Sequence, residues 1–294
     1  MQNKIIAHLM GGLGNQMFQY AAARSIAYNN DIPLYLDSYT GFYRDKIYKR
    51  KYELFHFPIK AQVVKSRYSI TFLNMAFRKK ILKQENKLIN KSIFNNSIIE
   101  NQLNFIPEIA NYRIEKSTWM HGYWQSEKYF DNIKDLLAKE LMPPIPKDDK
   151  FLEIAKLMNS CNSVSIGVRL FEEVPEINKE GVGGLTDIEF FNISAHKMNK
   201  NLESPEFFVF CTTNSPELKK LDLPGKVHIL THENGYDGTM SRLWLMTQCK
   251  NHIIANSSFY WWGAWLSESN NNYKSKIIAS TLFSNSDTVP ERWQ

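Results

Sequence analysis

Lys4-Ile5-Ile6-Ala7-His8-Leu9-Met10-Gly11-Gly12-Leu13-Gly14-Asn15-Gln16-Met17-Phe18-Gln19-Tyr20-Ala21 is the stretch that settles the fold class. Residues 4–9 are an apolar run of strand length, 10–14 a glycine-rich turn, and 15–28 place Met17, Ala21 and the later alanines at helical spacing. Residues 32–36 read as a second strand. Strand, helix and strand in this order open the chain as a βαβ unit of a parallel sheet.

Working outward, Met142-Pro143-Pro144-Ile145-Pro146 marks a domain boundary, because three prolines in four residues stiffen the chain and exclude helix. Beyond it the alternation is clean. Strands are expected at 163–169, 206–211, 226–230 and 252–255, with helices at 187–200, 216–220, 239–249 and 261–267. That pattern is a doubly wound α/β sheet, which binds ligands at the carboxyl ends of its strands. Before the boundary the reading is coarser. Residues 39–52 mix basic and aromatic side chains in a loop or irregular helix, 78–91 suggest a basic helix, and 95–113 show no period. Ser126 is read as the N-cap of a helix running through Lys139.

The composition belongs to a folded globular protein: 294 residues, 43% hydrophobic, with 36 Lys and Arg against 30 Asp and Glu. A net charge of +6 favours anionic ligands such as phosphates without calling for nucleic acid. Cys161, Cys211 and Cys249 are too far apart for a disulfide framework or a CxxC metal site. The N-terminus lacks a signal-peptide pattern, and the apolar run 259–266 is far short of the ~20 residues that span a bilayer. The expectation is a cytoplasmic protein that touches the inner membrane, if at all, peripherally through its basic stretches.

Four places offer chemistry. Gly11, Gly12, Gly14, Asn15 and Gln16 sit where a strand turns into a helix; this is either a tight turn or a loop where a substrate meets backbone N–H groups. The spacing matches neither the dinucleotide glycine motif nor the phosphate-binding loop. Arg169 ends a predicted strand, where a guanidinium can hold phosphate oxygens or pair with the glutamates that follow. Asn256-Ser257-Ser258-Phe259 precedes a tryptophan-rich helix, so its hydroxyls and the first N–H groups suit either a diphosphate or a simple N-cap. Tyr123 and Trp124 can stack on a sugar face or pack internally, and Trp261 and Trp262 read as core. No Asp-x-Asp pair, HExxH or GxSxG occurs, so metal-assisted hydrolysis and serine acyl transfer lose support and no metal ligand is assigned.

Three blocks, Gly11–Ala21, Gly122-Tyr123-Trp124-Gln125-Ser126-Glu127 and Asn256-Ser257-Ser258-Phe259-Tyr260-Trp261-Trp262-Gly263-Ala264-Trp265-Leu266, together resemble the α-1,2-fucosyltransferases of glycosyltransferase family 11. They lie in the family's order and span almost the whole chain. The resemblance implies an α/β, GT-B-like arrangement of two Rossmann-type domains facing a cleft. Residues 1–145 would form the acceptor side and 146–294 would bind GDP-fucose. It further implies an inverting transfer of L-fucose to the 2-hydroxyl of a galactose-terminated oligosaccharide or lipid-linked glycan, with no metal or other cofactor.

On that reading Arg169, Ser257, Ser258 and the helix-start N–H groups stabilise the GDP leaving group, while Asn256 and Phe259 complete the donor site. The glycine loop would face the place where donor and acceptor meet. Two departures stand out. The family's H-x-R-R-G-D block appears here as Gly167-Val168-Arg169-Leu170-Phe171-Glu172, and paired aspartates after the strand at 206–211 are replaced by Thr212-Thr213-Asn214, leaving Asn214 as the contact to a base edge. Glu172 is the first choice for a general base and Asp37 the second, although either carboxylate also suits a structural partner. Transfer of another GDP-linked deoxysugar, or a non-catalytic binding role, are the alternatives the departures leave open.

Overall fold

The computed structural model describes residues 2–43, 45, 48–64, 89–90, 96–170, 184–271 and 274–294. The chain divides into two compact units, Met1–Leu141 and Met142–Gln294, with the break at the head of the proline run.

In the first unit β1 (Ile5–His8), α1 (Leu13–Asn29) and β2 (Leu34–Asp37) form the expected βαβ opening. They are followed by β3 (Gln62–Val63), β4 (Ile89–Asn90), β5 (Asn96–Ile99), a single helical turn α2 (Pro107–Ala110), β6 (Thr118–His121) and α3 (Lys134–Glu140). The sheet order is β3-β2-β1-β6-β5-β4, parallel except where β4 meets β5. The chain therefore reverses its direction of sheet growth between β1 and β6, which places this unit's ligand-binding edge at the carboxyl ends of those two strands.

Helix α1 is buried all round rather than on one face. Its polar Gln16, Gln19 and Ser25 lie inside because each has a partner; Ser25 Oγ, for instance, donates to Asn132 Oδ1 at 2.8 Å. Tyr20 and Arg24 reach from α1 to the carboxylate of Glu140 in α3, with Arg24 Nη2 at 3.0 Å. Glu140 is only 4% exposed, so this ion pair has a buried anion that must stay paired.

The second unit contains α4 (Asp149–Ser160), β7 (Asn162–Gly167), α5 (Ile188–Asn201), β8 (Pro205–Phe210), β9 (Lys226–Leu230), α6 (Thr239–Gln248), β10 (Asn251–Ile254), α7 (Ser258–Asn270) and β11 (Ile277–Ala279). All five strands are parallel in the order β11-β10-β7-β8-β9. The runs Val164-Ser165-Ile166 and Phe207-Phe208-Val209-Phe210 are buried throughout, as strands covered on both faces must be. Asp148 and Asp187 cap α4 and α5 by accepting from the Lys150 and Phe190 N–H groups. Trp261 and Trp262 are fully buried, and Trp261 Nε1 donates to Thr288 O at 2.7 Å. His252 in β10 sits 2.6 Å from Ser267 Oγ, and burial pushes its imidazole down to about 3.

Departures from the sequence reading fall mostly in the first unit. Of the helix expected over 78–91, residues 89–90 are strand β4, 78–88 and 91 lying outside the described residues. The segment without a period, 95–113, supplies β5 and the α2 turn. Ser126 does accept from Lys128 N, but it caps a 3-10 turn, Glu127–Tyr129, and the α-helix begins only at Lys134. Among the described residues no helix is long and apolar enough to cross a membrane.

Candidate functional site

In the second unit the direction of sheet growth reverses between β7 and β10, so the carboxyl ends of these strands define its ligand edge. Gly167-Val168-Arg169 leaves β7 there and Ala255-Asn256-Ser257-Ser258 leaves β10, joined by a hydrogen bond from Ala255 N to Gly167 O at 3.1 Å. Arg169 is half-buried two residues past the strand. Ser257 is the N-cap of α7 in extended conformation, no side chain caps the helix, and no acidic residue occupies its first turn. A 13-residue helix whose N-cap side chain makes no capping bond, starting at the same strand ends from which Arg169 departs, has the chemistry of an anion site.

The other expected donor residues have more structural work. Asn256 Nδ2 donates to Gly184 O at 3.1 Å and Leu282 O at 3.2 Å, and its Oδ1 lies 3.1 Å from Thr186 Oγ1. It thereby ties two loops to the switch point. Asn214 is held in the same way, donating through Nδ2 to Asn234 and accepting from Thr231 Oγ1, both at 3.0 Å. Phe259 is half-buried. Glu172 lies outside the described residues. Sequence reasoning missed Arg242, a buried cation in α6 whose guanidinium donates to Cys211 O at 3.0 Å, Tyr236 O at 3.1 Å and Leu230 O at 3.4 Å, pinning the ends of β8 and β9. Its only signal was an arginine directly before the apolar run Leu243-Trp244-Leu245-Met246.

Gly167, the position where the family resemblance implies histidine, is filled from elsewhere. A Cβ at residue 167 would stand 2.5–2.8 Å from the ring of Tyr260 in α7. The Tyr260 hydroxyl donates to Val168 O at 2.9 Å and Phe210 O at 3.1 Å. Glycine is thus required by the close approach of a ring, and no larger residue fits while the ring is there.

In the first unit Gly11 has φ +76°, the left-handed region that favours glycine, and a Cβ there would meet Asn15 Nδ2 at 2.6 Å. Gly12 is the N-cap of α1, which Gly14 enters as its second residue, and the guanidinium of Arg50 lies 3.9 Å from where a Gly12 Cβ would be. Asn15 Oδ1 accepts from Gln125 Nε2 at 2.8 Å, connecting the glycine block to the Gly122–Glu127 block. The Gln16 amide is fully committed: it donates to Gly11 O at 3.0 Å and Lys51 O at 2.8 Å and accepts from Glu53 N at 2.9 Å. Gln16 therefore shapes the loop and offers no free group to a ligand.

Beside these residues His8 and His121 face each other across β1 and β6 with their Nδ1 atoms 2.8 Å apart, so one donates and the other accepts. Glu100, just past β5, accepts from Tyr123 N at 2.6 Å and Trp124 N at 2.9 Å. Burial raises its carboxyl to about 7 despite these two donors. Trp124 is 1% exposed and cannot stack on a sugar, whereas Tyr123 at 37% can. Asp37, the second choice for a base, is 2% exposed and its Oδ1 accepts from the Tyr39 and Thr40 N–H groups, closing a turn.

Residues 4–289 match the model of glycosyl transferase family 11. The Escherichia coli alpha-1,2-colitosyltransferase is 30% identical over 315 aligned positions, covering 98% of this chain and 97% of that protein. The O-antigen biosynthesis glycosyltransferase WbnK of Escherichia coli is 22% identical, with 92% of each chain covered. Among solved structures, the Bradyrhizobium α-1,6-fucosyltransferase NodZ, soaked with GDP-fucose, aligns with TM-score 0.51 and 15% identity over 90% of this chain and 93% of its own. Arabidopsis thaliana FUT1 in complex with GDP aligns at 0.50 and 12% over 94% of this chain and 70% of its own. With two parallel-strand α/β units of GT-B-like type and a family match across nearly its full length, the chain belongs to glycosyl transferase family 11.

Proposed function

We propose that this glycosyltransferase moves L-fucose from GDP-fucose to the 2-hydroxyl of a terminal galactose, with inversion and without a metal. The observation that carries the reading is the switch point of the second unit, where the loop bearing Arg169 leaves β7 and the loop leading into α7 leaves β10, the two joined by the bond from Ala255 N to Gly167 O. In the displacement the acceptor oxygen forms a bond to the anomeric carbon while the bond from that carbon to the phosphate oxygen breaks. The electron pair leaves with GDP and the hydroxyl proton passes to a base or to solvent. Negative charge grows on the diphosphate as the bond lengthens, and a guanidinium with helix-start N–H groups stabilises it in place of a cation. The GDP-fucose and GDP of the two solved neighbours support this choice of nucleotide.

A second donor is favoured by particular observations. The place of the family's histidine is taken by Gly167 under the Tyr260 ring, and a 30% identical relative is an alpha-1,2-colitosyltransferase. Another GDP-linked deoxysugar is therefore the competing reading. Purified protein is incubated with GDP-fucose or GDP-colitose, a panel of β-galactosides and excess EDTA, scoring GDP release and product linkage. A chelator-resistant α-1,2-fucosylated product supports the first reading; turnover of GDP-colitose alone supports the second. Loss of all activity with EDTA, restored by a divalent cation, refutes the metal-free mechanism.

A further inference from the structure

We propose that Tyr260 is a positioning residue for Arg169, locking that side chain's backbone to the N-terminus of α7 so that both halves of the anion site are preassembled. The inference rests on the donor-site reading above and names a residue that reading does not use.

The two peptides that flank Val168 are each held by one bond. Val168 N donates to Phe210 O at 2.9 Å, and Val168 O accepts from the Tyr260 hydroxyl at the same distance. Phe210 O, at the end of β8, shares that hydroxyl's one proton at 3.1 Å. Tyr260 is the third residue of α7, so one side chain connects the first turn of the helix with the ends of β7 and β8. Rotation of the Val168–Arg169 peptide, which would redirect the Arg169 side chain, must break the bond to Val168 O. Because Gly167 lacks a Cβ, the ring lies flat against the strand end and the hydroxyl reaches these carbonyls from within the core, where Tyr260 is 6% exposed.

A phenylalanine ring would fill the same space, so the packing alone does not call for the hydroxyl. Preorganised groups stabilise developing charge best when they need not reorganise during reaction. Fixing the peptide that launches Arg169 is such an arrangement.

The test is a double-mutant cycle read by calorimetry with GDP and by turnover. Tyr260→Phe keeps the ring, and we expect GDP to bind about tenfold more weakly, the effect of one lost buried hydrogen bond transmitted to the site. In an Arg169→Ala background the same substitution should have no further effect on GDP affinity or kcat, because it acts through Arg169. Tyr260→Leu provides a second hydroxyl-free side chain, and thermal unfolding reports whether each variant is folded. Unchanged GDP affinity in Tyr260→Phe, or an equal loss with and without Arg169, overturns the proposal. Wild-type protein that binds no GDP refutes the donor-site reading itself, a result distinct from either of these.

Discussion

Gly167→Ala is the substitution with the sharpest expected consequence. The new methyl carbon would stand 2.5 Å from Cγ of Tyr260, where ordinary contacts begin at 3.4 Å, so the ring must retreat by roughly 0.9 Å. Cγ is the root of the ring, so a χ2 rotation leaves it in place, and a χ1 rotation relieves the overlap only by carrying the hydroxyl away from its acceptors. A retreat of that size stretches the hydroxyl contacts, now 2.9 and 3.1 Å, to nearly 4 Å and breaks both. Overpacking costs about 1–3 kcal/mol and the loss of the hydroxyl's one shared hydrogen bond about 1 kcal/mol, giving roughly 2–4 kcal/mol in the second unit. Urea denaturation of Gly167→Ala, Tyr260→Ala and the double variant measures the coupling. Tyr260→Ala should itself cost about 3–5 kcal/mol through the cavity, and adding Ala at 167 to it should cost nearly nothing. Additive losses, or a Gly167→Ala protein as stable as wild type, would refute the account of why glycine occupies this position.

Three further outcomes follow from buried groups. His252 has a folded-state pKa of about 3, below its ordinary value, so the unfolded chain takes up a proton as pH falls through 6.5 while the folded chain does not. Stability of the second unit should fall by about 1.4 kcal/mol per pH unit between pH 6 and 4, and His252→Gln, though less stable at pH 7, should show a flatter slope in pH-dependent melts. Glu140→Gln leaves Arg24 without its anion and should destabilise the first unit by about 3–5 kcal/mol; a loss below 1 kcal/mol in denaturant titration would show that the pair is replaceable. Glu100 titrates the other way, its raised pKa adding stability that is present at low pH and lost as pH rises through about 7. Because its carboxylate holds the Tyr123 and Trp124 N–H groups, Glu100→Gln should raise the acceptor KM several-fold with little change in kcat; a hundredfold fall in kcat at constant KM would make Glu100 the base instead.

What could be read from the sequence tracks how local the determining forces are. β9 runs over Lys226–Leu230 as expected, and α6 starts at Thr239 as expected, because apolar runs between turn residues specify both without outside help. The first unit is different. Thr118-Trp119-Met120-His121 carries no period-2 signal, and it becomes β6 only because β1 and β5 lie on either side of it. In the same way Gln16 looked like a group for a ligand, and the acceptors it satisfies, at Gly11 and Lys51, lie up to 35 positions away.

Gly167 shows why a departure from a motif cannot be scored at one position. Taken alone, glycine in place of histidine reads as the loss of a polar group from the donor site. Tyr260, 92 positions beyond Val168 and inside the third recognised block, fills the space beside the glycine and brings a hydroxyl to the same strand end. The two residues depend on each other: a larger residue at 167 collides with the ring, and a smaller one at 260 leaves a cavity beside β7 with Val168 O and Phe210 O unpaired by any hydroxyl. The pair is one structural unit divided between two motifs. Its hydroxyl holds the carbonyl directly before Arg169, so the glycine at 167 comes with a tie between the strand end and α7 and not with an empty space.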